Sequence, residues 1–188
     1  MEKIGVNKLS LQEYLSLGYL YLLVLGLLTD TIYYGLLDLN ILDYSSISDV
    51  LISPLKLLAR NMIVFLAFLL ILVMLFVFGK WVHPRLAKAV AKGKEVKVIT
   101  QETLVAISAL MVIGYFLGLG IGLGIKTSTQ MEEGRIRPDH QIIFSDQKSQ
   151  DVKIVGRNSI YIFYILKGGK QVYTTPIDGN VFVVKKLL

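Results

Sequence analysis

The residue types of a hydrolytic triad occur close together once in this chain, as Asp139, His140, Ser145 and Asp146. Nucleophilic catalysis needs the hydroxyl within reach of the imidazole and the imidazole held by a carboxylate. No nucleophile-elbow spacing surrounds this serine, and the same residue types are common in polar loops, so no catalytic role is expected of them. A zinc site is not expected either. The histidines are only His83 and His140, and the chain has no cysteine, which removes thiolate ligands, cysteine nucleophiles and disulfides together. No metal and no cofactor are expected.

Asp30 stands out through its surroundings. An apolar stretch from Tyr14 to Leu28 precedes it, and Ile32 to Leu37 continues the run. A carboxylate at the centre of a bilayer costs about 2.5 to 3.5 kcal/mol, and less near the interface. Two readings follow: an interfacial residue or helix-end cap, which is preferred, and a buried functional carboxylate. Other ionisable residues are nearly absent from the apolar stretches, which argues against an ion-coupled pump. Arg157, Asn158 and Ser159 lie between two strand-like runs and form a candidate ligand turn, although Asn and Ser are also ordinary turn residues. Tyr161, Phe163, Tyr164 and Tyr173 read as β-core and cross-strand partners rather than as a ligand platform.

The sharpest local pattern is GYFLGLGIGLG, with Gly114, Gly118 and Gly122 four apart and Gly120 and Gly124 as a second pair. On a helix this spacing is expected to leave one face almost without side chains, so that another backbone can approach closely. Packing within one subunit, packing between identical subunits and a pore-lining helix are all compatible with it. A phosphate loop is not: Ile125 separates the last glycine from Lys126 and Thr127, and a Walker A loop needs glycine directly before lysine. The dinucleotide fingerprint fails as well, since its third glycine is misplaced and no strand precedes it.

These residues need elements to carry them, and hydropathy supplies the elements. Met62 to Gly79 is apolar and uncharged, and it closes on Lys80, Trp81, His83, Pro84 and Arg85, a basic and aromatic cluster suited to lipid headgroups. The first span is expected from Tyr14 to Tyr33 or beyond, because about 15 residues are too short to cross and about 24 are ample. Lys3 and Lys8 precede it and no A-x-A-like cleavage site follows, which fits an uncleaved signal anchor. A third span is expected from Thr103 or Leu104 to Ile125. Between the first two spans, Asp38 to Asn61 is amphipathic, with Pro54 expected to interrupt it, and reads as interfacial or re-entrant helix. In the basic loop from Lys80 to Glu102, a short helix is expected over Arg85 to Ala91, stopped by Gly93.

Beyond Lys126 the composition turns polar, and five strands are expected: Gln141 to Ser145, Asp151 to Val155, Ser159 to Lys167, Lys170 to Thr175 and Val181 to Lys185. Gly168-Gly169 suggests a two-residue hairpin, and Asp178-Gly179-Asn180 another turn. The fold class expected is therefore a membrane all-α bundle, about three transmembrane helices plus an interfacial helix, with a small C-terminal β-rich domain. The division expected is a helical domain over 1–126, a linker over 127–137 and a β-rich domain over 138–188.

Composition bounds the function. With 54% hydrophobic and only 18% charged residues in 188, the chain has a surplus of apolar surface that must meet lipid. Its net charge of +6 is explained by basic loops flanking spans, so nucleic acid is not an expected partner. The lipid bilayer is one, together with further copies of the chain or another membrane protein. The loop carrying Lys80, Arg85, Lys88, Lys92, Lys94 and Lys97 is expected in the cytoplasm, which puts the C-terminal domain on the other side if the third span crosses once. The leading expectation is a non-enzymatic membrane protein whose β domain binds a ligand or partner and whose glycine-faced helix packs or oligomerises. An oligomeric channel or membrane-disrupting effector controlled by that domain is the alternative, with a membrane enzyme third.

Overall fold

The computed structural model describes residues 10–82, 84, 85, 88 and 101–187. Lys3, Lys8, His83 and most of the expected helix over residues 85–91, with its stop at Gly93, lie outside them. Among the described residues are four helices and a five-stranded sheet: α1 Leu11–Gly35, α2 Ile47–Arg60, α3 Met62–Val77 and α4 Gln101–Glu132, then β1 His140–Phe144, β2 Ser149–Arg157, β3 Tyr161–Leu166, β4 Tyr173–Pro176 and β5 Val181–Lys186.

Local chemistry sets the helix ends. A capping box opens α1: the Glu13 amide donates to Ser10 Oγ, and the Ser10 amide to the Glu13 carboxylate. At its other end Asp38 takes a left-handed φ of 58°, and the Leu39 amide donates to the Tyr34 carbonyl over 3.0 Å, which stops the helix and turns the chain into a 3₁₀ turn at Ile41–Asp43. The expected interruption at Pro54 does not occur, and α2 runs through it. Proline removes one backbone donor, but Pro54 is fully buried and its packing outweighs that single loss. Asn61 alone separates α2 from α3, capping the Ile63 amide with its side-chain oxygen at 2.9 Å. The residues expected to begin a linker, 127–132, are the last turns of α4. Nothing in Thr127 to Gln130 breaks a helix, so the stop waits for Gly134, where φ reaches 62° and the Arg135 amide closes on the Gln130 carbonyl.

Among the described residues, three helical stretches are long and apolar enough to cross a membrane: Leu11–Gly35, Met62–Trp81 and Thr103–Glu132. The second includes a π-helical turn at Phe78–Val82. At 20 residues and about 1.5 Å per residue it is roughly 30 Å long, the thickness of a hydrocarbon core.

The chain forms two compact units, one of residues up to Ser53 together with Gly120 onward, the other Pro54–Leu119. In the second, α3 meets the first part of α4 through Phe68, Tyr115 and Phe116, with ring centroids 5.5–5.7 Å apart. Tyr115 also donates its hydroxyl to the Val64 carbonyl. In the most apolar window of Met62–Trp81 no residue is buried.

In the first unit the sheet has strand order β4-β3-β2-β1-β5, antiparallel throughout. All five expected strands are present within a few residues of their expected ends. Alternation along β3 sends Ile162 and Tyr164 to one face and Phe163 and Ile165 to the other, and all four are buried. The first pair shares a core with Ile142, Val152 and, from β5, Val181 and Val184. Since β5 is not a neighbour of β3 in the strand order, the sheet curls to enclose that core. The two-residue hairpin expected at Gly168-Gly169 is instead a longer loop, with Tyr164 paired to Tyr173 and only Gly168 left-handed. A tight turn there would set Lys167 directly opposite Lys170, two like charges side by side. The register adopted stacks Tyr164 on Tyr173 at 5.8 Å. The turn at Asp178-Gly179-Asn180 forms as expected, with Gly179 at φ 76°.

Candidate functional site

The outer face of the sheet is seated on helix ends. Phe163, Ile165 and Val155 share one core with Tyr34 of α1, Leu37 and Ile41 just beyond it, Met131 of α4 and Ile136. A bulge in β2 makes the seat. Ile154 pairs with Tyr164 and Gly156 with Phe163, so Val155 is the extra residue, its carbonyl turned to accept the Tyr33 hydroxyl at 3.1 Å. Gly156 then lies so close to Tyr34 that a methyl group there would overlap the phenol. Tyr34, Tyr44, Tyr161 and Phe163 complete the seat as edge-to-face aromatic pairs, with centroids 5.3–5.8 Å apart for Tyr34 on Phe163 and for Tyr44 on Tyr161 and Phe163.

A second tie joins the β2–β3 turn to the start of α2. Ser46 caps that helix, its Oγ accepting from the Asp49 amide at 3.2 Å and donating to Asp49 Oδ2 at 2.7 Å. The same carboxylate takes two bonds from Ser159: the amide to Oδ1 at 2.9 Å and the hydroxyl to Oδ2 at 2.8 Å. Burial pushes the Asp49 carboxyl up, but the hydrogen bonds from Ser46 and Ser159 outweigh it and hold the group below the usual carboxylate range. Asn158 binds on both sides of the turn. Its Nδ2 donates to the Tyr44 carbonyl at 2.8 Å, and its Oδ1 accepts from the Ile160 and Tyr161 amides. Of the candidate ligand turn, then, Asn158 and Ser159 are engaged with Tyr44 and Asp49, and Arg157 is exposed at the end of β2. An anion offered to the Ser159 donors would have to displace Asp49.

The glycines divide into two sets. A methyl group on Gly120 would meet the Thr29 carbonyl at 3.0 Å, and one on Gly124 would meet Leu36 at 2.6 Å and the Tyr33 carbonyl at 3.3 Å. These two are contact points between α4 and α1. Residue numbers rise together across the pairs 29 with 120 and 33 with 124, so the helices run parallel there. At Gly114, Gly118 and Gly122 a methyl group would meet nothing within 4 Å among the described residues. The expectation of a single bare face is corrected: at 3.6 residues per turn the two sets are roughly 140° apart, one side occupied by α1 and the other open. Asp30 is not a helix-end cap, because Ser10 and Leu36 hold the cap positions of α1. It sits in the penultimate turn, where Oδ1 accepts from Ser53 of α2 at 2.5 Å.

No family model matches the chain, and neither the curated proteins nor the solved structures offer a match to it. The group with triad residue types is pulled apart by β1. His140 Nδ1 lies 2.7 Å from Asp139 Oδ1 at the start of the strand, while Ser145, just past its end, donates to the Gly179 carbonyl. A strand of that length keeps them about 15 Å apart, too far for proton transfer. Among the described residues no three His, Asp or Glu side chains gather to hold a metal ion.

Two of the residues that matter most escaped the sequence reading. Asp49 carried a signal, the spacing Ser46-x-x-Asp49 before an apolar run, which is a capping box. Its second partner, Ser159, is 110 residues away and left no local trace. Nor did Gly156, whose need for a bare α-carbon comes from Tyr34.

Proposed function

We propose that the protein crosses a lipid bilayer three times and is not an enzyme, that its C-terminal sheet is a binding module for a ligand or partner, and that α4 is the helix through which copies associate. The observation that carries this reading is the shared core of Tyr34, Leu37, Met131, Val155, Phe163 and Ile165. The sheet is not hung on a loose tether, so anything that loads it acts directly on the ends of two parallel helices.

The parallel run of α1 and α4 supports three crossings. Two spans in the same direction require one return between them, and α3 is apolar on every side and long enough to make it. The largely exposed apolar surface of α3 is what lipid would cover. With the basic loop in the cytoplasm, the sheet lies outside it. The open side of α4 at Gly114, Gly118 and Gly122 supports association between copies, since smooth faces attract in lipid by close van der Waals contact.

Because the chain has no cysteine, Gly118→Cys supplies a clean test. Oxidation in native membranes is expected to give disulfide-linked dimers, which need Cα atoms within about 7 Å; monomer alone would remove the association. Protease added to intact cells is expected to cut the tail, and a tail cut only after the membrane is opened would reverse the sidedness. The same open face favours a second reading, an oligomer that conducts. Dye release from liposomes by wild type, abolished by Gly118→Leu, would select it.

A further inference from the structure

The two free edges of the sheet, β4 and β5, are built differently. β4 is only four residues long. The Ile177 amide donates to the Ile160 carbonyl on the β3 side, so by the alternation of an antiparallel ladder the main-chain groups of Thr174 and Pro176 point to the open edge. Pro176 has no N–H, which leaves Thr174 to donate alone from β4 and blunts that edge. β5 is six residues long and has no proline. The Leu187 amide donates to the Asp139 carbonyl over 2.9 Å. The same alternation turns the main-chain groups of Val183 and Lys185 toward β1 and those of Val184 and Lys186 outward, unpaired in the ladder.

Side chains single out the same edge. Ile143 pairs with Val183 and Phe144 with Val181, so Phe182 is an extra residue in β5, and a bulge of this kind re-aims its side chain. Phe182 is 77% exposed, more than any other large apolar residue among the described residues. Its backbone is held in place just upstream, where the Ser145 amide donates to the Asn180 carbonyl at 3.0 Å and the Ser145 hydroxyl to the Gly179 carbonyl at 2.9 Å. Lys185 and Lys186 follow, both exposed, and among the described residues neither has an ion-pair partner. We infer that β5 is a docking edge for an extended acidic segment of another protein. The segment adds to the sheet as a further strand, seats an apolar side chain against Phe182 and sets carboxylates beside Lys185 and Lys186. Charge chooses this occupant. Edge lysines keep like strands apart, and a second copy pairing β5 to β5 would gather two lysines from each chain on one ladder with no acid, since Val181–Lys186 contains none. This names an edge and a partner chemistry for the sheet, and rests on reading the sheet as a binding module.

Short synthetic peptides offered to the full chain in phosphatidylcholine nanodiscs test it: one alternating valine and glutamate, one with lysine in place of glutamate, and the acidic one with every backbone nitrogen methylated. Binding is followed by fluorescence anisotropy and by hydrogen exchange of the backbone amides. The acidic peptide is expected to bind at least about tenfold more tightly than the lysine peptide, to lose binding on methylation, and to slow exchange at Val184 and Lys186, whose N–H groups point outward. Phe182→Ala is expected to weaken it several-fold, and Lys185→Glu together with Lys186→Glu to reverse the preference in favour of the lysine peptide. Slowed exchange confined to another strand, or acidic binding that survives methylation or the lysine reversal, refutes the edge while the sheet still binds. Slowed exchange along β5 without peptide, growing with protein concentration, means that a second copy covers the edge and also refutes the inference. Exchange unchanged throughout residues 138–188 by every peptide removes the edge and the peptide-binding role of the sheet together.

Discussion

Two sets of glycines on α4, alike in sequence, keep different company. Gly120 and Gly124 press against Thr29, Tyr33 and Leu36, while Gly114, Gly118 and Gly122 face open space among the described residues. The first set belongs to a seat in which nearly every small or polar residue answers a partner: Gly156 to Tyr34, Val155 to Tyr33, Asp49 to Ser159. The contrast teaches that a glycine pattern announces a bare helix face without saying whose backbone fills it. Here one side is filled by the chain itself, and the proposal gives the other to a copy.

Substitutions can break or sharpen that contrast, with unfolding followed in detergent. The largest effect is expected from Gly156→Val, which drives a branched side chain into the Tyr34 phenol and is expected to cost about 3 kcal/mol. Asp49→Ala removes the acceptor for Ser46 and Ser159 and is expected to cost about 2 kcal/mol. Because the Asp49 carboxyl is held below its ordinary value when folded, its contribution is complete above the unfolded pKa, about 3.9, and is lost as pH falls through the lower folded value. Wild type is therefore expected to lose stability below about pH 4 more steeply than Asp49→Asn, whose side chain takes up no proton there; matching acid limbs would show that the tie does not contribute.

The glycine contrast itself is sharpened by a matched pair. Gly124→Ala is expected to destabilise by about 1 kcal/mol, since Leu36 Cβ and the Tyr33 carbonyl cannot swing aside. Gly118→Ala is expected to leave the folded monomer unchanged or up to about 1 kcal/mol more stable through helix propensity, while weakening any cross-link at that face. Equal losses at both positions would abolish the distinction. Tyr33→Phe is the smallest change, removing one hydrogen bond to the Val155 carbonyl for about 1 kcal/mol or less.

What the amino-acid sequence determined by itself is what depends on near neighbours. Three apolar helices, five strands and the turn at Gly179 follow from hydropathy, strand composition and the φ freedom of glycine, all set within a few residues. Where local signals pointed wrongly, at Pro54, at Gly168-Gly169 and at the expected linker, packing or strand register outweighed a weak preference. Only the tertiary structure decided that the sheet sits on the ends of α1 and α4, that α1 takes Gly120 and Gly124, and that Ser159 reaches Asp49. The contacts made by α1 and by Asp49 join residues about ninety to a hundred and thirty apart along the chain, and those between the end of α4 and the sheet still join residues more than twenty apart. Their energies depend on shape and on hydrogen-bond geometry between surfaces that exist only after each element has formed, so no window along the chain contains them.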